Sequence, residues 1–263
     1  MISQQSVLMN MLIDAFTFFN ENDVLAIRLE ELAPVVDKFI IVQALETFRG
    51  NKKPDYFDYE RFKPYMKQIQ LVTIDRFPNF KYNANWEREY FQRNQLAHHF
   101  GPLYTGETLV MISDVDEIPR RAVLQNIKDH GVDERIRLSL DKYTYGINML
   151  THEGNTAVKI TNLKDLRKTT PQRLRQHETQ LTVEDAGWEF SSLGTPEHVL
   201  YKLKNFAHME FDDENLTVEN IRARMNRGED VLGRDMVQEI VEIDDRFPEA
   251  VKNDRQYWSK YEW

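Results

Sequence analysis

The chain has no cysteine among its 263 residues. Disulfides, zinc–thiolate centres and cysteine nucleophiles are excluded, and a reducing cytoplasm would suit it. No apolar run approaches the ~20 residues needed to span a bilayer. The first residues, MISQQSVLMNMLIDAF, carry neither a basic n-region nor a cleavage-site pattern, so no signal peptide is expected. The expectation is a soluble, cytoplasmic protein. Glycine is scarce at 10 residues, and neither G-x-G-x-x-G nor G-x-x-x-x-G-K-[ST] occurs. A phosphate would have to be held by a metal and basic side chains rather than by a glycine-rich loop. Basic charge is also in the minority. With 34 Lys and Arg against 43 Asp and Glu, the formal charge is −9, the reverse of a general nucleic-acid binder.

What is present is an ordinary globular composition, 41% hydrophobic and 29% charged. A chain of this length buries roughly three quarters of its unfolded surface, so the core can be large. Strand-like runs are Met11 to Phe18, Lys38 to Leu45 (apolar on both faces), Ile69 to Ile74, Thr108 to Ile112, Ile136 to Leu140 and Ala157 to Ile160. Helical stretches lie between them at Glu21 to Leu32, Trp86 to Phe100 and Pro119 to Asp129. Strands alternating with helices imply an α/β fold with a mainly parallel twisted sheet. No internal repeat or low-complexity linker is seen, and a single domain over 1–263 is expected.

The most informative segment is Ser113 to Pro119, SDVDEIP, directly after the TLVMI strand. Asp114 and Asp116, at i and i+2 where a strand ends, suit a hard divalent cation. That edge is where open α/β sheets bind ligands, and a cation there can hold a diphosphate. The alternative is an acidic turn capping a helix that has Pro119 in its first turn. Lys159 to Arg175 is a second feature. It holds Lys159, Lys164, Arg167, Lys168, Arg173 and Arg175 against one acid, Asp165, and reads either as a solvated face or as a loop that meets phosphates or a polar acceptor.

Five segments, in order and at suitable spacing, resemble glycosyltransferase family 17: Phe18–Leu32, Val35–Pro54, Trp86–Asn94, SDVDEIP and AGWEFSSLGTPEHVLYKLKNFAHMEF at Ala186–Phe211. The resemblance covers about residues 11 to 211, and the last ~50 residues carry no motif that can be placed. It implies a GT-A-like fold, a UDP-sugar donor (UDP-N-acetylglucosamine in the characterised branch), manganese or magnesium, inversion at the anomeric carbon and a glycan or glycoconjugate acceptor. It also implies a donor half at about 11–130, an acceptor and metal half at about 131–211 and an acidic helical region at 212–263. The lack of an anchor points to a bacterial or viral member.

On this reading Asp116 holds the metal, with Asp114 directly or through water. His208 in NFAHMEF is the third ligand, unless it is a partly buried histidine beside Phe206 and Phe211. Arg93 reaches the diphosphate through its bidentate guanidinium. Arg88, five residues earlier, either does the same or forms a surface ion pair with Glu87 or Glu89. Asn20 and Glu21 follow the first strand, where such folds receive the nucleoside, unless Asn20 only caps a helix. An inverting transfer needs a general base, for which Glu189, Asp185, Glu210 and Glu117 are candidates. Trp188 stacks on a sugar or sits in the core. Two positions depart from the family pattern: Gln43 and Ala44 replace Glu-Ser at the end of the second strand, and Glu189 replaces His after Gly-Trp. The competing readings are the same fold with another nucleotide sugar, or a catalytically silent glycan- or nucleotide-binding module.

Overall fold

The computed structural model describes residues 10–152, 157–177, 179, 181–207 and 216–263. The central sheet begins with β1 (Leu12–Phe18), β2 (Lys38–Ala44), β3 (Ile69–Ile74) and β4 (Leu109–Asp114). These lie side by side and parallel in the order β3-β2-β1-β4. Two helices connect them, α1 (Asn22–Leu32) between β1 and β2 and α2 (Ala84–Gln95) between β3 and β4. Beyond β4 the sheet continues through chain segments that come later. After β5 (Glu117–Pro119) and α3 (Arg121–His130) the chain forms β6 (Ile136–Ser139), β7 (Asp141–Thr144), β8 (Met149–Thr151) and β9 (Ala157–Asn162). Two short helices, α4 (Leu163–Leu166) and α5 (Pro171–Gln176), then lead to β10 (Leu181–Val183) and β11 (Gly187–Ser191). The antiparallel β9 joins β4 to β6, and β10 closes that edge. The mainly parallel α/β sheet expected from the alternating pattern is therefore what the chain adopts. Four parallel strands followed by an antiparallel one, with D-x-D at the end of the fourth, are the GT-A-like arrangement that the resemblance implies.

The apolar runs are explained by burial on both faces. Successive strand residues point to opposite sides. Phe16, Phe39, Ile41, Leu109 and Met111 join the α1 side of the core. Ala15, Ile40, Val42, Val110 and Ile112 join the other side, against Leu96, Leu163, Leu166 and Leu174.

A second sheet was not foreseen. Its order is β12-β8-β7-β11-β5, with β12 at Gln238–Ile240. Pro119 is thus not the first-turn proline of a helix. It ends β5, the edge strand of this sheet, where a missing N–H is tolerated. The next helix starts at Arg121. On the second sheet pack α6 (Pro196–Leu203) and α7 (Val218–Asn226), through Val199, Leu203, Ile221 and Met225. The C-terminal stretch supplies β12 and the short helices α8 (Glu249–Asn253) and α9 (Arg255–Trp258). Phe247, Val251 and Trp258 belong to the main core. Asp23 of α1 holds this stretch down, accepting hydrogen bonds from Tyr257 and Tyr261 at 2.5 Å each and pairing with Lys260 at 3.1 Å.

A charged pair lies inside the core. Asp14 of β1 and Arg28 of α1 are both fully buried and meet in a two-pronged pair, Nε to Oδ2 at 2.8 Å and Nη2 to Oδ1 at 2.6 Å. Arg28 also donates to the carbonyls of Asp114, Val115 and Glu117 at 2.9, 3.2 and 2.7 Å, and to Ser113 Oγ at 2.6 Å. Removing one partner of a buried pair leaves the other charge uncompensated. Arg28→Met should therefore lower unfolding stability by about 3–5 kcal/mol, measured by urea denaturation. A loss below about 1 kcal/mol, within the range of exposed ion pairs, would show that this arginine does not hold the turn.

Candidate active site

The carboxyl ends of β1 and β4 meet in register, Thr17 opposite Asp114. There the chain forms a cleft of about 330 Å³. Among the described residues, seven carboxylates line it (Glu21, Glu46, Glu89, Asp114, Asp116, Glu117 and Glu189) and face three cations, Arg93, Arg175 and Lys202.

Asp114 opens onto the cleft with its side chain 32% exposed and lies between two arginines. Arg93 Nη2 is 3.0 Å from Oδ1 and Arg175 Nη2 is 3.0 Å from Oδ2. Burial pushes its carboxyl up, but Arg175 and Arg93 outweigh this and hold it well below the usual carboxylate range. Arg175 also grips Glu117, through Nη1 to Oε2 and Nη2 to Oε1. Glu117 accepts the Asp114 backbone N–H at 2.8 Å. The acidic turn is thus closed on itself and fixed from below by Arg28.

Asp116 is placed differently. Among the described residues its one ion-pair partner is Lys202, at 3.3 Å. Burial, together with Asp114, Glu21 and Glu117 nearby, pushes its carboxyl up to about 6. Lys202 lies equally close to Glu21, at 3.3 Å. Burial raises Glu21 too, but Lys202 and the backbone N–H groups of Asn20 and Phe19 leave it below its ordinary value.

Glu189 enters from β11. Trp188 and Phe190 turn into the core, while Glu189 and Ser191 line the cleft. Its carboxylate pairs with Lys142 at 3.4 Å. Burial, helped by Asp116 and Glu117 and opposed by Lys142, pushes it up to about 8. The folded-state value then lies above the ordinary 4.5. The native state holds an extra proton between about pH 4.5 and 8, and the stability tied to it is lost as pH rises through that window. Glu189→Gln cannot ionise. Relative to the parent, its melting temperature in EDTA should rise between pH 5 and pH 8. A difference that stays flat or falls would mean that Glu189 is ionised in the folded protein across this range.

The expected site residues are therefore partly brought together. Asp114, Asp116, Glu117, Glu189, Glu21 and Arg93 share the cleft. Asp185 does not. It lies with Arg120, Asp141 and Arg246 in a separate depression, 76% exposed and paired to Arg120 at 2.7 Å. Arg88 does not line the cleft and forms no ion pair with Glu87 or Glu89 there. It donates to the Phe48 carbonyl at 2.8 Å, holding the loop after β2. Asn20 does not line the cleft; its backbone N–H donates to the Glu21 carboxylate at 3.0 Å, and Glu21, not Asn20, occupies the helix N-cap. Trp188 is a core residue, 3% exposed, donating to the Arg246 carbonyl at 3.1 Å. Gln43 is also buried, bonded to Asp55 and Thr73 at 3.0 and 3.2 Å, and does not line the cleft. His208 and Glu210 lie outside the described residues. Arg175 belongs to the basic stretch seen in the sequence. Lys202 was missed, because one lysine on an amphipathic helix carries no signal of its own.

Among the described residues, no three His, Asp or Glu side chains gather as a metal cage. The donor set still suits manganese or magnesium. A hard cation of this kind is commonly bound by one or two carboxylates plus substrate phosphates, and among the described residues the carboxylates around Asp116 outnumber the cations.

An acidic D-x-D turn and two arginines that pair with it stand together at the strand ends of a mainly parallel α/β sheet. The model of glycosyltransferase family 17 matches residues 4–257. The chain belongs to this family and is a glycosyltransferase by membership. The match also takes in the C-terminal stretch in which no motif could be placed. No curated protein matches the chain. Among solved structures it is similar to glucosyl-3-phosphoglycerate synthase from Mycobacterium tuberculosis. One complex, with Mn2+, UDP and phosphoglyceric acid, is 11% identical with a TM-score of 0.35, over 92% of this chain and 91% of that one. Another, with UDP, is 12% identical with a TM-score of 0.29, over 50% of this chain and 45% of that one. This second match spans less than half of the synthase's length. No helix among the described residues is long and apolar enough to cross a membrane.

Proposed function

We propose that the chain is a metal-dependent, inverting transferase that moves a sugar from a UDP-sugar donor to a glycan or glycoconjugate acceptor. N-acetylglucosamine is the sugar suggested by the family's characterised branch. The observation that carries this reading is the Asp116 carboxylate, left short of countercharge beside an Asp114 that two arginines hold. Asp116 is the residue to hold the cation, with His208 as a further ligand by resemblance. When bound, the cation supplies Lewis-acid neutralisation of the charge that develops on the leaving diphosphate. Arg93 and Arg175 are positioned for the phosphate oxygens, and Glu21 with Asn20 stands where the nucleoside enters. Glu189 takes the proton of the acceptor hydroxyl as that oxygen attacks the anomeric carbon from the face opposite UDP. Burial raises Glu189 most; the field of Asp116 and Glu117 that adds to it weakens once positive charge shares the cleft, which favours its basic form. Division of the chain into a donor half at 11–130 and an acceptor half at 131–211 follows the same reading.

A thermal-shift panel of nucleotide sugars, with and without manganese, tests the donor. A ligand at 100 times its Kd should add ~2.7 kcal/mol of stability. Asp116→Asn should abolish the manganese-dependent part and leave the fold intact. A variant that turns over donor at more than a tenth of the parent rate would overturn the metal assignment. Stabilisation by UDP-sugar with no turnover in any condition would instead mark a silent binding module.

The base is tested separately. Glu189→Gln should cut transfer to acceptor by ~10²–10⁴-fold while manganese and UDP still bind. A two- or threefold effect would exclude Glu189 and shift the role to Glu117 or Glu210, since Asp185 lies in the other depression.

A further inference from the structure

Lys202 is in the last turn of α6 and places its ammonium where Glu21 and Asp116 converge. Nζ is 3.3 Å from Glu21 Oε1 and 3.3 Å from Asp116 Oδ2, with the side chain 18% exposed. Glu21 cannot turn away, because its other oxygen accepts the backbone N–H groups of Phe19 and Asn20 at 3.1 and 3.0 Å. Two carboxylates that close to one another in a mostly buried cleft need a shared cation to remain ionised. The ammonium does electrostatically what a divalent ion at Asp116 would do.

The three cations that line the cleft among the described residues are not equally tethered. Arg175 bridges Asp114 and Glu117 with both terminal nitrogens. Arg93 is fixed among Gln172, Glu89 and Asp114. Both Lys202 contacts are long for a charge-assisted bond, which closes to about 2.7–2.9 Å when fully made. A lysine is also a compact point charge on a flexible stem, suited to changing partners where a planar guanidinium is not.

Resting on the nucleotide-sugar reading above, we infer that Lys202 is an internal counter-cation that holds Glu21 and Asp116 together in the metal-free cleft and passes its ammonium to the donor's diphosphate when a divalent cation takes Asp116. Two opposite effects follow. Without nucleotide, Lys202 competes with the metal for Asp116. With nucleotide, it adds to the grip on the phosphates whether or not metal is present. A lysine with a merely structural role would produce neither effect.

The test uses the whole chain and two probes, manganese alone and UDP. Manganese binding without nucleotide is read by electron paramagnetic resonance, and UDP binding by calorimetry in EDTA and in saturating manganese. Lys202→Met should bind manganese alone about tenfold or more tightly than the parent, and should bind UDP in EDTA about tenfold or more weakly. The double variant Glu21→Gln/Lys202→Met removes a carboxylate along with the ammonium, so it keeps the charge balance if the single variant does not fold. Measured against Glu21→Gln alone, because Glu21 itself stands where the nucleoside enters, it should show the same loss for UDP in EDTA. The wild type itself should bind UDP measurably in EDTA. Variants that match the parent in UDP affinity in EDTA overturn the proposal, as does a Lys202→Met whose manganese affinity is unchanged. A wild type that binds UDP with manganese but not in EDTA overturns this proposal alone. A wild type that binds UDP in neither condition overturns the nucleotide-sugar reading as well.

Discussion

The cleft depends on a buried arginine that never touches it. Arg28 neutralises Asp14 inside the sheet and spends its remaining donors on the carbonyls of Asp114, Val115 and Glu117. A turn carrying three carboxylates within four residues would repel itself and resist ordering. Here its backbone is pinned from the core side by a cation that cannot deprotonate. The carboxylates are left to face the cleft. Asp14 keeps Arg28 in place, and Arg28 keeps the turn in place, so a charge pair costly to bury transmits the geometry of β1 and α1 to the D-x-D.

With the backbone fixed, the carboxylates differ by what surrounds them. Asp114 sits between two guanidinium groups and stays ionised far into acid. Asp116, two residues on, has one long contact to Lys202 and is pushed up to about 6. Glu189, deeper still, is pushed up to about 8. Titratable groups whose surroundings drive them apart are the usual sign of divided labour in a site. The division follows the partners: Asp114 lies between two arginines, Asp116 has the single long contact to Lys202, and Glu189, buried beside Lys142, holds its proton to about pH 8.

Much of the central sheet was legible because both of its faces are covered. Residues such as Ile40, Ile41 and Val42 had to be apolar in succession, and that signal survives in a single sequence. The D-x-D was legible for a similar reason, as charge set abruptly against an apolar strand. The second sheet was not. β5, β8 and β12 are three residues each, too short for a period of two to show. Pro119 misled because proline suits a helix start and an edge strand equally. Arg28 and Lys202 were invisible because each is a single basic residue on a helix, and only tertiary placement tells a buried counter-ion from a solvated one. Arg88 and Asp185 went the other way. Their types fit the chemistry, but α2 turns Arg88 toward the Phe48 carbonyl and the bend before β11 leaves Asp185 outside.

Why the Gly-Trp-Glu segment tracks the D-x-D turn follows from strand pairing. β11 runs antiparallel to β5, with Gly187, Trp188 and Glu189 opposite Pro119, Ile118 and Glu117. A Cβ at position 187 would fall 2.2 Å from the Ile118 carbonyl oxygen, so only glycine lets the strands approach this closely. That approach sets the register, and register decides which side chains meet the cleft. A slip of one residue would exchange the two faces of β11, bringing Trp188 and Phe190 into the cleft and sending Glu189 into the core against Tyr143 and Phe247. The tryptophan packs so that the glutamate next to it can face the acidic turn. The pairing that orders Glu117 therefore also places Glu189, and the proposed metal side and acceptor side of the site are built on one pair of strands.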